Sequence, residues 1–330
     1  MSEISSKPTL SVVIPVYNVE KYVKAAVDSV LEQTVAPDEI IIVDDGATDN
    51  SGALIEQLYA QYEHVTIVHT PNAGLGEARN VGTRLAKSDF IYYFDSDDLL
   101  KNNLVEVFQD AVGKNPDLDI FVFSAESFYD KDVLKSGKKM LQMPEYNRGM
   151  EHTYTDGETA FCGMSQNAVF FPNAWLYIYR RDLQKHNNLF FKPIIHEDEE
   201  FTPRLFFNAK KVVVTAQSFF ERRLRSGSIM QTRRGEGNAI GYLQSIKALQ
   251  ELYQKTDNAE SKRHLLQRIK NNMFIIIHIR SEVNFSQSTE DEYKKLMMQY
   301  QTPLMRVASI NFFSYRVLRG VLRQLKLVEI

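Results

Sequence analysis

The chain has a single cysteine, Cys162, in 330 residues, which excludes an internal disulfide and a zinc site built on several thiolates. It has no long apolar run: crossing a bilayer takes roughly 18–20 residues, and the nearest stretch, Met273–Ile279, is short and interrupted by His278. It has no excess of either charge sign. Lys and Arg total 39 against 42 Asp and Glu, a net charge of −3, so nucleic acid is not an expected partner of the whole protein. The opening MSEISSKPT carries no basic-plus-apolar leader, and with the lone cysteine this points to the cytoplasm. Internal repeats and low-complexity segments are absent as well. Three chemical motifs are also missing. No G-x-G-x-x-G follows the first apolar run, which reads Pro15-Val16-Tyr17-Asn18-Val19-Glu20, and no G-x-x-x-x-G-K-[ST] occurs. His196-Glu197 is not followed by a second histidine at the fifth position, which is Glu200, so a two-histidine zinc helix is excluded.

What remains is an ordinary globular composition, 44% hydrophobic and 25% charged, with enough apolar surface for a core. Apolar runs of strand length occur at Leu10–Val16, Glu39–Val43, Val65–His69 and Asp89–Phe94. Helically spaced apolar residues lie between them: Tyr22, Ala26, Val30 and Leu31, then Ala53, Leu54, Leu58 and Tyr62. Alternating strands and helices imply βαβ units and a parallel sheet buried on both faces. From about 105 to 225 the chain is dense in aromatics and loop formers, which suggests further strands around a cleft. Beyond about 235 it turns helical, over Gly241–Thr256, Ala259–Val283, Thr289–Gln301 and Leu304–Leu327.

In an open α/β sheet ligands bind outside the carboxyl ends of the strands. Here those ends read Pro15-Val16-Tyr17-Asn18, Asp44-Asp45-Gly46, Asn72-Ala73-Gly74 and Asp95-Ser96-Asp97-Asp98. Helix capping and turns account for some of these polar residues. Three carboxylates within four residues repel one another, and a countercation is the usual remedy. Asp95-Ser96-Asp97 has the spacing of a site for Mg²⁺ or Mn²⁺ shared with a substrate phosphate. Arg79, after a glycine-containing turn, suits that phosphate; the alternative for it is a surface salt bridge.

These segments resemble the family 2 inverting glycosyltransferases. The resemblance rests on SVVIPVYNVEKYVKAAVDSVLEQT, EIIIVDDGATDNS, PNAGLGEARNVG and DFIYYFDSDD, in the family's order. NAWLYIYRRD, HEDEEF and RLRSGSIMQ are similar to bacterial members that build capsule, exopolysaccharide or lipopolysaccharide. The resemblance covers roughly residues 9–230. It implies an α/β GT-A (nucleotide-diphospho-sugar transferase) fold, a Rossmann-like mostly parallel sheet with a helical C-terminal extension. The implied catalytic domain is 1–230, with a nucleotide-binding half at about 9–104 and an acceptor half at about 105–230; 231–330 is the helical region. Pro15, Val16 and Tyr17 would form the base-binding edge, with Tyr17 on a uracil ring and Glu20 near the nucleotide. One of Asp44 and Asp45 would bond the pyrimidine edge, Asp44 being favoured. Asn72, Gly74 and Arg79 would line the sugar-nucleotide cleft. Asp95 would contact the ribose and Asp97 the metal, with Ser96 between them. Ala47 stands where the family commonly has serine, which removes any contact by that hydroxyl.

The implied reaction moves a hexose or N-acetylhexosamine from a UDP-sugar to a saccharide or lipid-linked saccharide by metal-assisted single displacement. Inversion needs a base opposite the leaving group, and the resemblance places it at Asp198, flanked by His196 and Glu197. A plain acidic helix start is the competing account of Glu197–Glu200. Trp175, the only tryptophan, is a candidate acceptor platform or a core residue. Arg225 and Ser228 are candidates for a loop over the donor. Another sugar-nucleotide enzyme would usually carry a glycine- and lysine-rich loop that is absent here. A non-catalytic nucleotide- or carbohydrate-binding module is disfavoured by the intact Asp95, Asp97 and Asp198.

Near the end, Arg316, Arg319, Arg323 and Lys326 share one helical face, opposite Ile310, Val317, Leu318, Val321, Leu322 and Leu325. Such a helix suits an anionic membrane surface, through residues 304–330 at the inner face of the cell membrane. Packing on the domain or in a homodimer is the alternative.

Overall fold

The computed structural model describes residues 7–135, 143–225 and 234–324. In chain order the elements are β1 (Leu10–Val16), α1 (Val23–Leu31), β2 (Glu39–Asp44), α2 (Ser51–Tyr59), β3 (Val65–His69), α3 (Leu75–Leu85), β4 (Phe90–Tyr93) and β5 (Leu99–Leu100). Then come α4 (Leu104–Lys114), β6 (Ile120–Tyr129), α5 (Lys131–Lys135), β7 (His152–Tyr154), α6 (Gly157–Gln166), a short 3₁₀ turn at Ala174–Leu176, β8 (Tyr177–Arg180), α7 (Arg181–His186), α8 (Glu197–Phe206) and β9 (Val212–Leu224). Five helices close the described chain: α9 (Glu236–Lys255), α10 (Ala259–Arg280), α11 (Gln287–Tyr300), α12 (Pro303–Ile310) and α13 (Phe312–Gln324).

The strands form one sheet in the order β3-β2-β1-β4-β8-β6-β9-β5, with β7 on β9. β3, β2, β1 and β4 run parallel, so their carboxyl ends share one edge. β8 then pairs antiparallel with both β4 and β6, and the outer half is mixed. Every residue of β1 is buried, as continuous apolar strands covered on both faces must be. Aromatics knit the centre: Phe90 meets Phe108 edge-on at 5.0 Å, and Tyr92 meets Phe123 at 5.8 Å.

The helix faces differ from the sequence pattern in α2. Ile55 and Tyr59 are its buried apolar residues, whereas Leu54 and Leu58 are half-buried and Ala53 and Tyr62 are exposed. The short run 53–62 fits two overlapping helical stripes, and the packing of this helix selects the other one. The last helical stretch is likewise two helices, α12 and α13, separated at Asn311, whose backbone is extended.

The chain divides into two compact units, Met1–Pro193 with Phe201–Thr232, and Ile194–Glu200 with Arg233–Ile330. A boundary drawn at 230 does not single out the segment 194–200, which clusters with the helical unit. In that unit α9 packs on α10, where Asn272 donates to the buried Ser245 hydroxyl. In the first unit α3 lies against β1 at Gly82, where an added Cβ would sit 2.2 Å from Val13 Cγ1. Gly82→Ala is therefore expected to force the helix carrying Arg79 off the sheet, costing about 1–3 kcal/mol in denaturant unfolding. An unchanged midpoint would refute this close packing.

Candidate active site

The ends of β2 and β3 are tied by carboxylates. Asp44 closes β2; its Oδ1 accepts the Ala47 amide and its Oδ2 lies 2.8 Å from His69 Nδ1. The other His69 nitrogen lies 3.0 Å from Glu56 of α2. These hydrogen bonds, Asp44 first, raise the His69 pKa above its ordinary 6.5. Asp45 accepts the Ala73 amide at 2.8 Å and the Gly74 amide at 2.9 Å, while Asn72 donates to the Asp45 carbonyl. Both aspartates are thus buried and hold the loop before α3 against the loop after β2. On the neighbouring strand Pro15 and Val16 are buried, and Tyr17 beyond them is 48% exposed. Glu20 accepts the Asn50 amide, in the turn that starts α2.

The end of β4 carries the densest charge. Arg79 reaches Asp95 at 3.0 Å and is only 2% exposed, packed beside the Tyr93 and Phe191 rings. Arg79 does not form the surface salt bridge that was the alternative for it: its guanidinium is inside the protein, paired with Asp95. Arg225 Nε lies 2.7 Å from Asp97 Oδ2. The Arg223 backbone amide donates to Asp98, and its side chain bonds the Asp97 carbonyl at 2.8 Å and Asp130 at 3.2 Å. Arg223 and Arg225 both lie over the Tyr22 ring, at 5.2 and 5.0 Å. Ser96 is buried between the two aspartates.

Burial, chiefly, pushes the Asp95 carboxyl up from its ordinary range; Arg79 opposes this and Asp97 adds to it. Asp98 is raised well above that range by burial and then by Asp97 and Asp95. The site thus crowds carboxylates, Asp98 buried and Asp95 and Asp97 half-buried, and sets arginines beside them. Among the described residues no three His, Cys, Asp or Glu side chains gather as a metal cage. Sequence reasoning did not single out His69, Tyr22 or Asp130. His69 ends β3, where its strand-end position was the available signal; Tyr22 and Asp130 are joined to the site only by folding.

Two other candidates lie elsewhere. Trp175 is 5% exposed, stacked on Phe220 at 4.2 Å and edge-on to Tyr146 at 4.9 Å. It is a core residue rather than an open sugar platform, because it is buried with Phe220 on its face and Tyr146 edge-on to it. Ser228 lies outside the described residues. His196, Glu197 and Asp198 belong to the second unit. There Glu197 and Glu200 are buried, so the acidic start of α8 is not simply a solvated helix end.

A model of glycosyl transferase family 2 matches residues 11–174. The glycosyltransferase GlyG of Streptococcus pneumoniae is 31% identical over 238 residues, 68% of this chain and 73% of GlyG. EpsJ of Bacillus subtilis, described as an uncharacterized glycosyltransferase, is 29% identical over 232 residues, and the match spans 63% of its length. S. aureus TarS 1–349, solved in complex with UDP-GlcNAc, superposes with a TM-score of 0.67 over 96% of this chain and 92% of that one. At 18% identity it speaks for the fold alone. The chain belongs to glycosyl transferase family 2, and its GT-A-like sheet with C-terminal helices is the fold expected of that family.

The His69 contacts make a pH-dependent contribution to stability. Because the folded pKa is raised, the contribution is complete below about 6.5, the unfolded value, and is lost as pH rises through the folded one. Thermal melts of wild type and His69→Ala are expected to differ more at pH 6 than at pH 9. An equal gap at both would show that His69 charge does not stabilise the loop.

Proposed function

We propose that the protein transfers a hexose or N-acetylhexosamine from a UDP-sugar to a saccharide, free or lipid-linked, with inversion, in the synthesis of a bacterial surface polysaccharide. The observation that carries this reading is the cluster of Asp95, Asp97 and Asp98 at the end of β4 with Arg79, Arg223 and Arg225. Carboxylates and arginines gathered at the carboxyl end of a parallel strand stand where an open α/β sheet binds its ligands. The exposed Tyr17 is suited to a uracil ring, with one of Asp44 and Asp45 on its pyrimidine edge, Glu20 nearby, and Asn72 and Gly74 along the nucleotide. Asp95 is assigned to the ribose. TarS, of similar fold, has been solved with UDP and with UDP-GlcNAc, which supports a uridine nucleotide here.

A divalent cation fits this donor set. The groups are hard oxygens, and Mn²⁺ or Mg²⁺ is commonly held by one or two carboxylates plus substrate phosphates, so no protein-only cage is required. Asp97 is the assigned ligand, and its pairing with Arg225 keeps a cation beside it in the structure described. When bound, the metal would neutralise charge on the leaving nucleoside diphosphate. With a metal on Asp97, Arg225 would be available to meet a phosphate oxygen. Asp198 acts as the base: as the acceptor oxygen bonds to the anomeric carbon, its proton passes to the carboxylate. The bond from that carbon to the phosphate oxygen breaks, and the electron pair leaves with the diphosphate.

Release of UDP from UDP-Glc, UDP-Gal, their N-acetyl forms and UDP-glucuronate, with Mn²⁺ or Mg²⁺, tests this. Asp97→Ala and Asp198→Asn are each expected to lower turnover about 100-fold or more. Wild-type turnover in both would overturn the site assignment.

We also propose contact with an anionic membrane surface through α12 and α13. Among the described residues no helix is long and apolar enough to cross a membrane. Ile310 and Phe313 are 86% and 75% exposed, with Val317 beside them and the exposed Arg306 and Arg316 nearby. Apolar side chains rimmed by arginines suit the headgroup region of acidic lipid. The side chains of Val321, Leu322 and Arg323, with Leu325 and Lys326, lie outside what the structure describes. Phe313→Glu with Val317→Glu is expected to abolish co-sedimentation with vesicles rich in phosphatidylglycerol. Undiminished pelleting would instead leave this face to a second copy of the chain.

A further inference from the structure

We infer that helices α9 and α10 form a mount for the segment carrying Asp198, and that His196 is a positioning residue for that carboxylate. The inference rests on the reading of Asp198 as the base, and concerns contacts made wholly within the second unit.

The segment is gripped on both sides of Asp198. Before it, α9 comes so close that an added Cβ on Gly241 would lie 1.8 Å from the Ile195 carbonyl oxygen. After it, the Ser245 hydroxyl donates to the Glu199 carbonyl at 2.9 Å, and Arg268 of α10 pairs with the Glu199 carboxylate. Two backbone carbonyls, three residues before the base and one after, are therefore set by the helices. Such a grip restricts where the intervening Cα can go.

His196 supplies the turn. Its φ is 66°, a left-handed backbone conformation uncommon outside glycine but several-fold enriched in Asn, Asp and His. Its ring packs against Tyr242 of α9, centroids 4.3 Å apart and 31° between planes. Nε2 lies 3.2 Å from Asn238 Nδ2. The Asn238 side-chain oxygen accepts the Gly235 amide, so its NH₂ group is the one turned to the ring. An NH₂ only donates, so Nε2 must accept and the ring proton sits on Nδ1. The imidazole has to be neutral for this bond, and burial accordingly lowers its pKa to about 4, with Glu199 opposing and Arg234 assisting. A neutral, stacked ring in a left-handed turn is a fixed pivot for the first turn of α8. It is unsuited to proton transfer at neutral pH.

The test uses the full chain and three readouts: hydrogen exchange of amides 195–200, UDP affinity, and kcat separately from donor KM. In Gly241→Ala, exchange over 195–200 is expected to rise and kcat to fall about 100-fold, because small displacements of a reacting group cost that much. UDP affinity and donor KM should stay within about twofold of wild type, the signature of an effect on the transition state only. His196→Gly, which keeps the left-handed turn available while deleting the ring, should show the same split and serves if Gly241→Ala does not fold. His196→Asn, suited to that turn and able to bond Asn238, should recover part of the loss. Unchanged exchange and kcat in His196→Gly would overturn the mount. Asp198→Asn separates the two ideas: wild-type turnover there sinks the base, and exchange over 195–200 alone then decides the mount.

Discussion

Carboxylates crowded at the end of β4 are the constraint around which the first unit is arranged. Asp95, Asp97 and Asp98 lie within four residues, Asp98 buried and the other two half-buried, where like charges repel and each loses part of its hydration. Burial with this repulsion raises Asp95 and Asp98; Arg79 and Arg222 oppose it at Asp95, the Arg223 amide and Arg222 oppose it at Asp98, and Arg225 pairs with Asp97. Arg79 comes from α3, Arg223 and Arg225 from the end of β9. Arginine suits this because it stays charged even where buried, and its planar fork can satisfy a carboxylate while stacking on an aromatic ring. The rings of Tyr93 and Phe191 beside Arg79, and of Tyr22 beneath Arg223 and Arg225, provide that stacking. Packing α3 on β1 and bringing β9 to this edge are thus also electrostatic requirements.

The neighbouring strand ends use charge differently. Asp44 and Asp45 accept backbone amides from the loops after β2 and before α3, so their charge is spent on shaping a rim. A nucleotide meeting that rim would find preset amides and carboxylates instead of mobile side chains, which lowers the ordering cost of binding. The second unit applies the same economy to backbone carbonyls, with Gly241 and Ser245 holding those of Ile195 and Glu199. At Asp45 and in the second unit, a short polar loop is held by residues far from it in sequence.

Much of the fold was legible beforehand because buried parallel strands leave continuous apolar runs. β1 and β3 fall on the runs read from the sequence, and the polar residues after the parallel strands lie at one sheet edge. The candidate site was legible where its pattern is local, as in Asp95-Ser96-Asp97. It was not legible where a partner lies far along the chain. Arg79 could be read as forming a surface salt bridge because nothing near it in sequence says that Phe191 and Tyr93 will enclose it. Trp175 could be read as sugar platform or core because its stacking partner, Phe220, is 45 positions away. His196 looked like half of a missing zinc motif, and its role as a pivot depends on Tyr242 and Asn238.

The residues alone determined that this is a βαβ-type protein of glycosyl transferase family 2, with acidic groups delivered to one sheet edge. Strand periodicity and short motifs are local properties, set by side-chain alternation and a few turn residues. Tertiary structure decided which of those acids are buried, which arginines lie beside them, and which helices hold the segment bearing Asp198. Those are questions of desolvation and of distances across the chain, and neither exists until the chain has folded.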